Sequence, residues 1–300
     1  MKTLLTGLSL LLASTACAQD APASEEPSEF WSHWGDGQAE LNGYQLTQPR
    51  YGEPRDGTSI LIFVTEELTR DARVKSDGGH RDAFPVMKLN AARDFTTGIY
   101  DYSTLTSTFV PLDDSLPTGM ATKVSFSMQD WCGHIYDQLV IDKTRFRRVS
   151  HSYFDGEADQ DRVVPVPDNA VFADAVPALV RGLAGEWLAP GETRSVAWHP
   201  PLLDQRMNHS IATWQSATVS RSDSTQPREV PAGTFEVQTW TVTAGSVKTT
   251  YDVEVAPPHR LIHWSRSDGE AGALTGSMRA AYWTMNAQRH EAMRADLGLK

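Results

Sequence analysis

The chain has 300 residues, 40% of them hydrophobic, and a formal charge of −11. That excess of acid argues against binding nucleic acid or an anionic membrane surface by charge. No apolar run approaches the roughly 20 residues a bilayer-crossing helix needs, which excludes a spanning helix.

Met1-Lys2-Thr3 is followed by an apolar run over residues 4–13. One positive charge ahead of about ten apolar residues is the pattern of a secretory signal. The expected signal peptide covers residues 1–18, and two processing sites compete. Ala16-Cys17-Ala18 is an A-x-A site that leaves Gln19 first. Ser14-Thr15-Ala16-Cys17 resembles a lipobox that leaves a lipidated Cys17. The first predicts a periplasmic or secreted protein. The second predicts an outer-membrane lipoprotein, touching membrane only through Cys17. Removing residues 1–18 takes away Lys2 and no acid, so the charge goes from −11 to −12. Cys132 then remains the sole thiol, and no internal disulfide can form.

Residues 19–29 contain no aromatic and no large aliphatic side chain, as expected of a disordered linker. Residues 30–300 read as a single β-rich domain. Phe30, Trp31 and Trp34 suggest a short docking turn. Residues 59–66, 98–110 and 123–128 are rich in β-branched and aromatic residues or alternate apolar and polar, so they predict strands. Residues 75–82, with Gly78-Gly79, predict a long loop. Residues 235–242 and 248–255 flank Ala244-Gly245-Ser246. Residues 260–265 and 274–282 flank Ser267-Asp268-Gly269-Glu270. Both read as hairpins. Helix is scarce. Phe172, Val176, Leu179, Val180, Leu183 and Trp187 share one helical face behind Asp168 or Asn169, with Pro177 expected to kink it. A polar helix is expected over 287–297 behind Asn286. The fold class is therefore mainly β: a curved antiparallel sheet, forming a partial barrel or sandwich, with one or two short helices.

No G-x-S-x-G, H-E-x-x-H, P-loop or C-x-x-C motif is present. Asp155, Glu157, Asp159 and Asp161 alternate like the start of a calcium loop. Gln160 and Val166 stand where that loop needs Gly and Glu, so the run reads as an acidic surface turn. One constellation has chemical potential. Trp131-Cys132-Gly133-His134 opens a predicted hairpin, 134–141 with 144–154. If Ile141 faces Thr144, His134 falls opposite His151 and Cys132 opposite Tyr153. Cys132, His134, Tyr136, Val149, His151 and Tyr153 then share one face, while Ile135, Leu139, Ile141, Phe146 and Phe154 form the core face. Cys132, His134 and His151 could act as a thiolate with imidazole bases or as zinc ligands. The bland reading is a buried thiol with hydrogen-bonded histidines. Trp131, Tyr136 and Tyr153 are candidate ligand contacts beside them.

Val230-Pro231-Ala232-Gly233-Thr234-Phe235, a hairpin, and then Pro258-His259-Arg260-Leu261-Ile262-His263-Trp264 resemble the C-terminal part of DUF3108-type exported proteins. The longer pattern, from Phe30-Trp31 through Gln129-Asp130-Trp131-Cys132-Gly133-His134 to Ser152-Tyr153-Phe154-Asp155-Gly156-Glu157, is similar to uncharacterised exported bacterial proteins. Some of these carry the label "septum formation inhibitor Maf", yet the Ser-x-x-Arg-Arg-type motif of Maf pyrophosphatases is absent. The resemblance implies a curved antiparallel sheet in the envelope and brings no cofactor or site residue. Two functions follow as expectations. One is non-enzymatic binding of an apolar ligand or an envelope partner protein. The other is an exported hydrolase or lyase using Cys132, His134 and His151.

Overall fold

Alternating inward and outward side chains, punctuated by short turns, lay down most of this chain as one sheet. The computed structural model describes residues 28–299. The expected signal peptide and the linker up to residue 27 lie outside them. The linker's last two residues do not extend it: Ser28 caps α1 (Glu29–Trp34), its hydroxyl accepting from the Trp31 amide at 3.4 Å.

The first wing of the sheet is β1 (Ala39–Arg50), β2 (Glu53–Thr69), β3 (Ala83–Thr97), β4 (Tyr100–Pro111), β5 (Lys123–Asp130), β6 (Gly133–Ile141), β7 (Arg145–Ser152) and β8 (Gln160–Pro165). The second is β9 (Ala170–Phe172), β10 (Thr193–His199), β11 (Gln215–Val230), β12 (Gly233–Ala244), β13 (Val247–Glu254), β14 (Leu261–Arg266) and β15 (Ala271–Ala280). Among the described residues these fifteen strands form one open, curved sheet, ordered β8 to β1 and then β15 to β9. The mainly β expectation holds. One departure is that β9 runs parallel to β10, so the sheet is mixed. The wings meet where β1 pairs with β15.

Both predicted C-terminal hairpins form. Ala244 faces Val247 across Gly245-Ser246, and residues 267–270 join β14 to β15. Residues 75–82 form the expected loop between β2 and β3. Inward side chains of both wings, among them Tyr44, Phe63, Phe126, Leu139, Val219, Val237 and Trp264, belong to one core. Each large apolar side chain buried there contributes about 1.5–3 kcal/mol.

Three sequence expectations need correction. The apolar run from Phe172 to Trp187 is not one helix. It passes from β9 through a turn of 3-10 helix (Ala173–Ala175) into the single turn of α2 (Val176–Leu179). Phe172, Val176, Leu179, Val180, Leu183 and Trp187 are all buried. Most of this segment is packed into the core, so packing overrides the helical period. Residues 288–297 wind as 3-10 helix behind Ala287, with no side-chain cap from Asn286. In the β6–β7 hairpin, Ile141 faces Phe146, not Thr144. The Asp142 amide donates to the Arg145 carbonyl at 2.8 Å, so Lys143 and Thr144 are turn residues. The pairing therefore slips by two, and His151 faces Tyr136. A two-residue slip leaves every side chain on its expected face, and Ile135, Leu139, Ile141 and Phe146 are buried.

The outer face of the seam is covered as well. Gly43 and Gly276 are cross-strand partners on β1 and β15. A Cβ on Gly43 would lie 1.9 Å from the Leu297 carbonyl oxygen, and one on Gly276 2.0 Å from that of Asp296. Only glycines let the C-terminal segment lie this close, where Leu297 and Leu299 cluster with Leu41, Val64 and Ala280. We expect Gly43→Ala to release this segment. Hydrogen exchange should show residues 288–299 losing protection while β3–β6 keep theirs; unchanged protection at 288–299 would contradict the close approach.

Candidate functional site

A partly open cavity of about 90 Å³ lies between the wings of the curved sheet. Its apolar wall comes from Leu61 and Leu89 on the first wing, Leu261 on the second, and Leu203 on α3 (Leu202–Met207). Its polar wall holds Arg93, Asp174, Asp204, Arg266 and Glu270, with Tyr251 and Trp264. The segment after β9 delivers Asp174, and α3 delivers Asp204.

The charges around the cavity are knitted together. Arg266 donates to both carboxylate oxygens of Asp204 at 2.9 Å and lies 2.9 Å from Asp268. Arg93 lies 2.9 Å from Glu270 and donates to Gln48 at 3.1 Å. The Trp264 indole donates to Glu270 at 3.0 Å. Such bidentate, charge-assisted contacts fix geometry as well as charge. Burial pushes the Asp204 carboxyl up against the pull of Arg266. Asp174 differs from its neighbours. Its carboxylate accepts only the Leu202 amide at 3.3 Å, and no cation among the described residues pairs with it. Burial, with Asp204 and Asp137 adding repulsion against the pull of Arg93, pushes Asp174 up to about 7.

The predicted Cys132, His134 and His151 face is elsewhere. Cys132 is a free, exposed thiol in the two-residue turn between β5 and β6. Asp130 Oδ1 holds that turn by accepting from the amides of Cys132 at 2.7 Å and Gly133 at 3.0 Å. His134, Tyr136, His151 and Tyr153 are also exposed, and Trp131 is 71% exposed. The structure puts all six candidates on the outward face and its adjoining turns, and Tyr153 packs over Gly133. His151 Nδ1 lies 2.7 Å from Asp159, and Tyr136 donates to Gln138 at 2.9 Å. Among the described residues no three His, Cys, Asp or Glu side chains converge as metal ligands. Three of the four alternating acids are taken by basic side chains instead: Glu157 by His209 at 2.7 Å, Asp159 by His151, and Asp161 at the start of β8 by Arg147 at 2.8 Å.

Sequence reasoning missed the cavity. Asp174, Asp204 and Glu270 are far apart in the chain and follow no motif. The signals were an acid inside an apolar run, Asp174, and arginines within strands, Arg93 and Arg266.

The molecule thus belongs to the class of curved single-sheet proteins, with a partly charged, partly open cavity between its wings. No protein-family model matches the chain, and no curated protein matches it. A solved structure that does match is a Bacteroides fragilis protein with a YmcC-like fold that is described as exported. It is 13% identical, over 80% of this chain and 94% of that one, at a TM-score of 0.19. A superposition this loose carries no argument about fold or function. No helix of the described residues is long and apolar enough to cross a membrane.

Proposed function

We propose that this is an exported, non-enzymatic binding protein of the cell envelope, of the DUF3108 type, which takes a small ligand with an apolar body into the cavity between the wings. The observation that supports this reading is the cavity itself. Ion pairs between Arg93, Arg266, Asp204 and Glu270 define one wall, and leucines from both wings and α3 define the other. Binding sites combine an apolar lining with a few placed polar groups in this way. Export rests on the pattern of residues 1–18, and the family likeness on Val230–Phe235 and Pro258–Trp264. A hydrolase using Cys132, His134 and His151 has less support, because that face is open to water and nothing encloses a reacting group there.

Filling the cavity tests the reading. Ala91 lines it, and Ala91→Leu should occupy much of its volume. Thermal shift of the wild type against small-molecule and envelope-lipid panels should give compounds that raise the Tm. These shifts should vanish in a folded Ala91→Leu protein. If no compound stabilises the wild type, or if the hits stabilise Ala91→Leu equally, the cavity is not the binding site.

A further inference from the structure

The charges around the cavity do not balance against their partners. Three carboxylates, Asp174, Asp204 and Glu270, face two guanidiniums, Arg93 and Arg266. Both guanidiniums are committed, Arg266 to Asp204, Asp268 and Glu270 and Arg93 to Glu270 and Gln48. Asp174 is left with one backbone amide. A second group also stands idle: Tyr251 lines the cavity and makes no side-chain hydrogen bond with a described residue. Holding a half-buried carboxylate without a partner cation is costly, which favours taking a proton or acquiring a cation.

Resting on the cavity as the binding site, we propose that its ligand is a small organic cation, an alkylammonium whose nitrogen pairs with Asp174 and whose carbon body packs on Leu61, Leu89 and Leu203. The ammonium supplies the charge that the surrounding side chains withhold. The aromatic faces of Trp264 and Tyr251 in the lining suit a cation as well. The apolar wall rejects a bare hydrated metal ion, which keeps its waters and seeks several oxygen ligands. A volume of about 90 Å³ is several times what one water needs, which limits the ligand to a handful of heavy atoms. An anion would meet Asp174 directly, across from Asp204 and Glu270.

Binding is coupled to protons. The groups facing Asp174 across the cavity are Asp204 and Glu270, Arg93 and Arg266, and Tyr251, with Asp137 acting from beyond the lining. Asp174 holds a proton below pH 7 in the empty site, and an ammonium must displace it. Affinity for the ammonium therefore rises with pH, towards tenfold per pH unit below pH 7, and levels off above it.

Calorimetric titration of the intact mature protein with n-butylammonium, 1-butanol and butyrate tests this. Butylammonium should bind more tightly at pH 8 than at pH 6 by about tenfold. Asp174→Asn keeps an acceptor for the Leu202 amide, and should lose at least tenfold in affinity for butylammonium at pH 8. Butanol and butyrate should bind at least tenfold more weakly than butylammonium. If butanol binds as well as butylammonium and Ala91→Leu abolishes both, the cavity stands and the cation assignment falls. If butylammonium binding survives both Asp174→Asn and Ala91→Leu, the site is elsewhere and both readings fall. Wild-type protein that binds none of the three also overturns the assignment. Circular dichroism and the Tm of each variant confirm a folded sample. Should Asp174→Asn fail to fold, the pH dependence and the butyrate comparison on wild-type protein decide the question.

Discussion

Replacing Arg181 by Met should cost the fold about 3–5 kcal/mol, the price of leaving a buried charge without its partner. The Arg181 side chain is fully buried, and its guanidinium faces Glu40, itself 1% exposed, with Nη1–Oε1 at 2.8 Å and Nη2–Oε2 at 3.1 Å. Nε and Nη2 also donate to the carbonyls of His259 and Pro258 at 2.8 and 3.1 Å. The guanidinium lies 4.2 Å from the centre of the Phe63 ring. One side chain thus ties β1, β2, the residues after α2 and the loop before β14. Chemical denaturation should show the loss directly, and the Tm should fall by roughly 10 °C. Adding Glu40→Gln to Arg181→Met should recover a large part of it, because the orphaned charge is then gone. If the double variant is as unstable as the single one, packing rather than charge is what Arg181 contributes.

The second large effect concerns pH. Asp174 is raised from an ordinary 3.8 to about 7, and His199 is lowered from 6.5 to about 4. Burial dominates both, with Arg148 adding to the depression of His199. The His199 ring packs 5.1–5.3 Å from those of Phe146, Phe172 and Trp214. Between pH 4 and 7 the folded chain holds a proton on Asp174 that the unfolded chain has lost, so this group lowers stability as pH rises. Between pH 6.5 and 4 the folded chain refuses a proton on His199 that the unfolded chain accepts, so this group lowers stability as pH falls. At full effect the two amount to roughly 4 kcal/mol for Asp174 and roughly 3 kcal/mol for His199. The two slopes oppose each other between pH 4 and 6.5 and cancel to a large extent.

Single variants separate them. Asp174→Asn should gain stability relative to wild type as pH rises from 4 to 7. His199→Phe should gain relative to wild type as pH falls below 6.5. Denaturation curves at pH 4.5, 6 and 8 measure both differences. Differences that do not change with pH would show that neither group titrates as its surroundings dictate.

The sheet was legible because its signals are local. Gly245-Ser246 and Asp268-Gly269 mark two-stranded turns, and alternation along β6 and β7 assigned Leu139, Ile141 and Phe146 to the core whatever the register. The register itself was not legible, since nothing in Asp142-Lys143-Thr144 says which two of them make the turn. The stretch from Phe172 to Trp187 failed for the opposite reason. It is apolar enough for any buried conformation, and the walls around it decide which one. The site was illegible for a third reason. Asp174, Asp204, Arg266 and Glu270 meet only because the wings curl toward each other, and no spacing along the chain records that curl. The Cys132 face was found on the expected side of its strands, and burial then separated it from the cavity.

The seam between the wings has a consequence for how the chain must be made. β1 is among the first strands to leave any synthesising or translocating machinery, yet its partner β15 is the last. Tyr44 waits for the Leu261 carbonyl, 217 residues further on, before its hydroxyl is satisfied. Hairpins of the first wing can close as they emerge, because their contacts are local. Until β15 arrives, β1 presents an open, apolar edge of the kind that invites pairing with other chains. A chain interrupted before residue 271 keeps that edge unpaired, so such a truncation should aggregate more readily than the chain that carries β15.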